Sequence, residues 1–425
     1  MLPKSARLRR ILFAYTLNEL GTWFGYVALA LSIYDHTHSA IATAGLFLAR
    51  GLLPALCAPM LVARVERSSR HRILASLLLL EGIATVGLAV LLWHFMLAGV
   101  LVLVALDGVL AVAVTALVRA SASRIALGED ADGHVDGEMH PSGAERSPSD
   151  DAAQRQVSAA LNFAFMGAFA VGPALGALLV HAVGAPLTML VDALTFPLAG
   201  VLVLGLQTHV EAGGEQSIRE RLLSAWRHTQ LAPQLRTLLF TEAIAIVFLA
   251  AVEPVEVLYA KTTLAAGDLG YGLLVTSWGI GAAAGAVVFA RAMHRSLGPM
   301  LTGGVFLLAL AYLGYAAAPT LALACVAAFV GGIGNGIHWP SLISAVQKLT
   351  PTELHGRLMS AVGSINALCP ALGFILGGTV ATLTSPRGAM LMAGVVSMAL
   401  TVTFFRISLG GSAQTAALPT GTVSS

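Results

Sequence analysis

Twelve apolar stretches of about 20 residues or more divide this 425-residue chain, and they constrain its fold more than any other feature. They fall near 11–34, 40–63, 73–95, 96–118, 157–180, 187–206, 237–260, 270–290, 298–317, 321–345, 358–381 and 389–408. A hydrocarbon core about 30 Å thick is crossed by a helix of about 20 apolar residues. The runs lack the period-two alternation of barrel strands, and unpaired backbone groups are too costly in lipid. The sequence therefore predicts an all-α membrane protein with twelve transmembrane helices.

Composition supports this reading. Apolar residues make up 57% and charged residues 11%, against about 25% charged in soluble domains. Mean hydropathy is +0.81. A formal net charge of +2 offers no field to hold nucleic acid. Cys57, Cys325 and Cys369 lie in apolar runs without CxxC or metal-ligand spacing, so no metal or cofactor is expected. The start, "MLPKSARLRR", is basic like a signal peptide. However, the 24-residue run behind it exceeds a 7–15-residue signal core and ends in no A-x-A-like site. It reads as a retained first span.

Lys and Arg test the count, because cytoplasmic loops are enriched in them. With the N-terminus inside, 21 of the 24 fall on the inner side. Lys261 and Arg387 fall outside, and Arg50 lies within a span. Both termini of this multi-pass protein are thus expected on the cytoplasmic side.

The soluble stretches divide the chain. Residues 1–206 form one six-helix bundle and 237–408 a second. The insertion at 128–151 holds eight acids and reads as a disordered cytoplasmic loop. In the linker at 207–236, Ile218, Leu222, Leu223 and Trp226 share a face beside three arginines, which suits a helix on the membrane surface. The tail at 409–425 is small and polar and is expected to be disordered.

One word recurs in equivalent places. PALG occupies 173–176 in span five and 370–373 in span eleven, the fifth span of each half. Proline interrupts a helix's hydrogen bonds and small residues let helices approach, so the matched copies suggest two repeats that rock against each other. "VGPALGALL" is similar to the span-five antiporter signature, with Gly172, Pro173 and Gly176 in register. The second copy keeps Pro370 and Gly373 but has Cys369 for the leading glycine. "VDALTF" at 191–196, "RQVSAALN" at 155–162 and "ELGTWFGYVALAL" at 19–31 add to the likeness, as does "TPTELHGRLMSAVGSIN" at 350–366 with its Gly356–Arg357 step. Together these resemble the major facilitator superfamily, in particular its bacterial efflux permeases related to macrolide and siderophore exporters. The resemblance implies a monomeric secondary transporter with two six-helix bundles. It would export a small amphipathic molecule, a drug, macrolide or siderophore, by alternating access. Protons or another coupling ion would drive it, as in antiport and multidrug resistance. The loop after span two departs from the pattern, keeping Arg64 but having Pro59 and Ala63 where Gly and Asp are expected. Span four has Val104 where the family carries a buried arginine.

Ionisable residues inside spans point to function. At 1.5 Å per residue, Arg50 lies about 15 Å and Asp107 about 16 Å below the outer ends of their spans. An Arg50–Asp107 or Arg50–Glu19 pairing is therefore expected, as a coupling or substrate-orienting site or as an ion pair bracing the N-terminal half. Glu253 and Glu256 share a face of span seven and read as a proton carrier or a solvated vestibule. Asn335 and His338 lie in the glycine-rich "GGIGNGIHWP" of span ten, facing substrate or packing. Gly281 and Gly285 form a GxxxG packing face. Asp192 reads as a capping or packing residue near the outer interface, and Glu81 and Glu242 are given no role. No Walker A string or HExxH occurs, so the chain reads as a transporter and not an enzyme, with a metabolite importer or lipid-modifying enzyme as the alternatives.

Overall fold

A computed structural model describes residues 5–66, 73–127, 148–204, 233–292, 294–350 and 355–416. Every regular element among them is helical. The first six are α1 (Ala6–Thr37), α2 (Ala40–Glu66), α3 (Ile73–Trp93), α4 (Leu97–Ala126), α5 (Pro148–Val183) and α6 (Ala185–Val203). The rest are α7 (Pro233–Ala250), a short α8 (Glu253–Leu258), a π-helical turn (Tyr259–Thr263), α9 (Gly267–Arg291), α10 (Leu297–Ala317), α11 (Leu321–Lys348), α12 (His355–Leu383) and α13 (Pro386–Ala416).

Eleven spans among the described residues are long and apolar enough to cross a membrane, Pro233–Thr263 being one of them. The twelfth helix, α1, is diluted by Asn18, Glu19, Gly21 and Thr22. It is also the most enclosed, with Ile11, Val27, Ala28 and Ile33 inaccessible, so it meets neighbouring helices more than lipid. On the other helices, exposed Leu194, Val201, Phe240 and Leu372 are what a lipid-facing surface requires.

The helices group into two compact units, Met1–Glu215 with Ala260–Thr276, and Gln216–Tyr259 with Ser277–Ser425. The end of span seven and the start of span eight thus belong to the first unit, whereas the sequence places both spans wholly in the second half. In the first unit α1 packs on α5 and α6, and α3 on α6. In the second, α7 packs on α12 and α13, and α10 on α13. These are the same pairings at equivalent positions, which makes the internal repeat a property of the fold. Each unit has its own core, around Ile11, Leu78, Leu117 and Phe196 in one and Leu235, Leu342 and Phe404 in the other.

PALG does the same work twice. A Cβ on Gly172 would come within 2.6 Å of Trp23 Cβ, and one on Gly176 within 3.1 Å of Phe24 Cα, so α5 lies directly on α1. On Gly373 it would meet Ala250 Cβ at 2.9 Å, and on Gly377 the Ala251 carbonyl carbon at 2.6 Å, so α12 lies directly on α7. Pro173 and Pro370 sit inside continuous helices. Gly281 and Gly285 approach the backbone of Phe329, Gly332 and Ile333 on α11, which is the close packing GxxxG predicts.

Three differences from the expected boundaries have physical causes. Span seven is broken at residues 251–252. Pro254 has no N–H for the Ala250 carbonyl, and its ring crowds that group, which ends α7 there. Between α5 and α6 a single residue, Gly184, turns the chain at φ 84°, a conformation open to glycine. Helix α5 already starts at Pro148 and α13 continues to Ala416, so 148–151 and 409–416, expected as loop and tail, are helical in backbone. The rest of the acidic insertion, the linker helix at 218–226 and the tail beyond 416 lie outside the described residues.

Candidate functional site

The ionisable residues of the first unit converge from five helices. Pro54 on α2 leaves the Arg50 carbonyl without its helical donor, and Gly108 on α4 lets α2 come close. A Cβ on Gly108 would stand 2.7 Å from Pro54 Cγ and 3.1 Å from the Arg50 carbonyl oxygen. That approach puts Asp107, one position before Gly108, beside Arg50. Arg50 Nη1 lies 4.0 Å from Asp107 Oδ2, with the side chains 24% and 11% exposed. The expected pair is therefore formed, and it is loose and incompletely enclosed on the Arg50 side.

An aromatic wall flanks it. The Arg50 guanidinium lies over the Tyr26 ring at 5.7 Å. Tyr26 meets Phe47 and Trp23 edge-on, each at 5.3 Å between ring centres, and Trp23 stacks on Phe169 at 4.6 Å. Trp23, Tyr26 and Phe169 are half-buried.

Glu19 is buried on α1 one turn beyond Tyr15, within electrostatic reach of Arg50 and Arg119. Arg119 donates to Tyr15 Oη at 3.4 Å. Glu19 thus belongs to the same constellation without a direct pair to Arg50. Two further residues join it, Glu81, for which no role is expected, and Asp192, expected to cap or pack. Glu81 is 1% exposed on α3. Asp192 is 3% exposed on α6, where it caps nothing. Its carboxyl lies against Gly21 and Gly25, in the interior stretch of α1. The legible signal was that glycine pair, one turn apart on α1, together with Asp192 as the one charged residue of α6.

The other candidates sit in the second unit with separate partners. Tyr315 donates to Glu256 Oε1 at 3.0 Å, and Tyr259 donates to the Tyr315 carbonyl at 2.6 Å. Glu253 is exposed at the break in span seven. His338 does not face solvent. It is 2% exposed, 2.9 Å from Glu242 Oε2, and edge-on to Phe404. Its partner Glu242, given no role above, is equally buried. Asn335 is half-buried on α11. The side chains of Arg64 and Arg357 lie outside those described, as does the surrounding of Gly356. No group of three or more His, Cys, Asp or Glu among the described residues is arranged to hold a metal ion.

Both basic residues outside the inner-side pattern are accounted for. In the first unit, Lys261 Nζ pairs with Asp35 and lies 2.6 Å from Asp268 Oδ1. In the second, Arg387 donates to the Ala318 carbonyl at 2.8 Å, just past the C-terminus of α10, where a cation is favoured.

Residues 141–421 match the family described as transmembrane secretion effectors, in the major facilitator superfamily. The chain belongs to that family. Membership makes it a membrane transporter rather than an enzyme. The chain is also 26% identical to "Multidrug efflux pump Tap" of Mycolicibacterium fortuitum over 420 residues, covering 93% of this chain and 96% of that one. Among solved structures it resembles a point mutant of the nucleoside transporter NupG with a TM-score of 0.73 at 9% identity, covering 94% of this chain and 99% of that one. It also resembles a bacterial homologue of the lysosomal transporter Spinster, with a TM-score of 0.67 at 11% identity, covering 96% and 98%. At those identities the structural likeness concerns the fold alone.

Proposed function

We propose that this protein exports small amphipathic molecules by proton antiport. It acts as a monomer in a bacterial cytoplasmic membrane, with both termini in the cytoplasm. The observation that carries the reading is the Arg50–Asp107 pair at 4.0 Å, incompletely enclosed and flanked by Tyr26, Trp23 and Phe169. The aromatic faces suit the apolar part of a substrate, and the pair suits its polar end. A pair this loose exchanges partners readily: a proton on Asp107 releases Arg50, and a substrate dipole or charge competes for either group. The likeness to a multidrug efflux pump supports export and a broad substrate range. Alternating access follows from two units that share one internal packing scheme.

The test is drug susceptibility in a bacterial strain lacking its own efflux pumps, over a panel of lipophilic dyes and antibiotics. Expression should lower susceptibility to several compounds, and Asp107→Asn, inserted at the same level, should abolish the protection. Protection by the Asp107→Asn protein equal to wild type would overturn the site. Sensitisation in place of protection would indicate uptake.

A further inference from the structure

Three acidic side chains of the first unit stand behind the Arg50–Asp107 pair with an oxygen unaccounted for. Glu81 Oε2, Asp107 Oδ1 and Asp192 Oδ1 are buried, and none has a hydrogen-bond partner. Their residues are 1%, 7% and 3% exposed. Glu81 lies within electrostatic reach of Asp107 and Asp192, and Asp192 within reach of Asp107 and Arg50. The cations at hand are Arg50, loosely paired with Asp107, and Arg119, an exposed residue bonded to Tyr15. Glu19 on α1 adds a fourth buried carboxyl. Helix α5, packed on α1, α4 and α6, brings among its described ionisable side chains only exposed His181 in its last turn.

Charge and burial do not balance here if all these acids are ionised. An unpaired carboxylate inside a membrane protein costs several kcal/mol, and Arg50 neutralises one at most. The described carboxyls are also not arranged as a metal site. The remaining way to balance the cluster is a proton.

The setting of Asp192 gives that proton a mechanical consequence. A Cβ on Gly21 would overlap Asp192 Oδ1, and one on Gly25 would overlap Oδ2, so the carboxyl fills a notch left by two missing side chains. Thr195 donates to the Asp192 carbonyl at 2.8 Å within the same turn. Glu81 is followed by Gly82, where a Cβ would stand 3.2 Å from Phe196 Cβ and 3.4 Å from the Ala193 carbonyl oxygen. Both acids therefore sit in seams where α6 presses on its neighbours, α1 for Asp192 and α3 for Glu81.

We propose that Asp192 and Glu81, together with Asp107, form a proton-holding site that controls the α1–α6 seam. It rests on the proton-antiport reading above and extends it. Binding is a simple protonation: hydronium from water gives a proton to a carboxylate oxygen, an O–H bond forms, and the step reverses on release. Protonated Asp192 fits the notch as a neutral group. When it ionises without a partner, the notch must admit water or open. Because α1 carries Glu19, Trp23 and Tyr26, that movement reaches the aromatic wall.

The test uses the full chain in lipid nanodiscs without substrate. Infrared spectra across a pH titration should contain the carbonyl stretch of protonated carboxyls, and its amplitude should fall in both Asp192→Asn and Glu81→Gln. Gly25→Ala keeps every acid but fills the notch, and should move the midpoint by about one pH unit, a tenfold change in proton affinity. Unchanged amplitude in both acid variants would overturn the proposal, as would a midpoint untouched by Gly25→Ala. A titration that follows sodium concentration at fixed pH would replace the proton by a metal cation and overturn it too. The function itself is read separately, from ethidium flux in proteoliposomes. Proton-driven flux with wild-type spectra in the variants would sink this site alone. Flux indifferent to the pH gradient, with the spectra as expected, would sink the antiport reading and leave the proton site standing.

Discussion

Gly172→Ala and Cys369→Ala change equivalent positions in the two copies of one packing motif, and the structure assigns them unequal costs. At Gly172 the new Cβ would stand 2.6 Å from Trp23 Cβ and 3.1 Å from Trp23 Cγ. Ordinary carbon contacts lie at about 3.5–4.0 Å, so α5 or Trp23 must yield by close to 1 Å. Overpacking of this kind costs about 1–3 kcal/mol. Trp23 cannot move freely, because it stacks on Phe169 at 4.6 Å, a contact worth about 0.5–1.5 kcal/mol. Alanine returns about 1 kcal/mol through its better helix propensity. The net is a destabilisation of about 2 kcal/mol, concentrated where the aromatic wall meets α5. Cys369 is half-buried and already has a side chain, so its truncation should cost about 1 kcal/mol or less. Thermal unfolding of the purified proteins in detergent should rank Gly172→Ala well below Cys369→Ala. Efflux of ethidium from cells should follow the same order. Equal stability and equal efflux in the two variants would refute the packing argument.

Other consequences follow from individual contacts. Replacing His338 by Ala leaves Glu242 buried without its partner and should cost about 3–5 kcal/mol, read as a large fall in unfolding temperature. Gly285→Val places a branched side chain against the Ile333 backbone, where a single Cβ already comes within 3.0 Å of its carbonyl carbon, and should lower the yield of folded protein in size-exclusion chromatography. Tyr315→Phe removes the donor to Glu256 and should cost about 1.5–3 kcal/mol if Glu256 is charged, and nearer 1 if it is neutral. Unfolding temperatures measured at low and high pH separate those two cases.

Much of this architecture was legible because lipid enforces simple rules. Run length gave the spans, and the Lys/Arg pattern set the expected orientation, with Lys261 and Arg387 as exceptions now seen in local pairings. GxxxG at 281–285 and the doubled PALG were readable because glycine has one common use inside a membrane helix, close approach. The Arg50–Asp107 pair was foreseeable from depth alone, since two opposite charges at mid-span need each other. Other pairings were not, because nothing local announces them. Glu242 and His338 are 96 positions apart and meet because α7 and α11 each turn one face inward. Glu81 was given no role and Asp192 only a capping or packing one, because their burial depends on how α3 and α6 rotate about their axes. The break in span seven was signalled by Pro254, but a proline can kink a helix or end it. Nothing local shows that Gly373 and Gly377 of α12 lie against that stretch of backbone.

The most direct measurement of the central claim is ethidium flux into and out of proteoliposomes holding the full chain, with a pH gradient imposed and then collapsed. Saturable flux that stops when the gradient is dissipated is expected, with loss of gradient-driven flux in both Asp107→Asn and Arg50→Gln while the proteins still insert normally. Gradient-driven flux undiminished in both variants would contradict it.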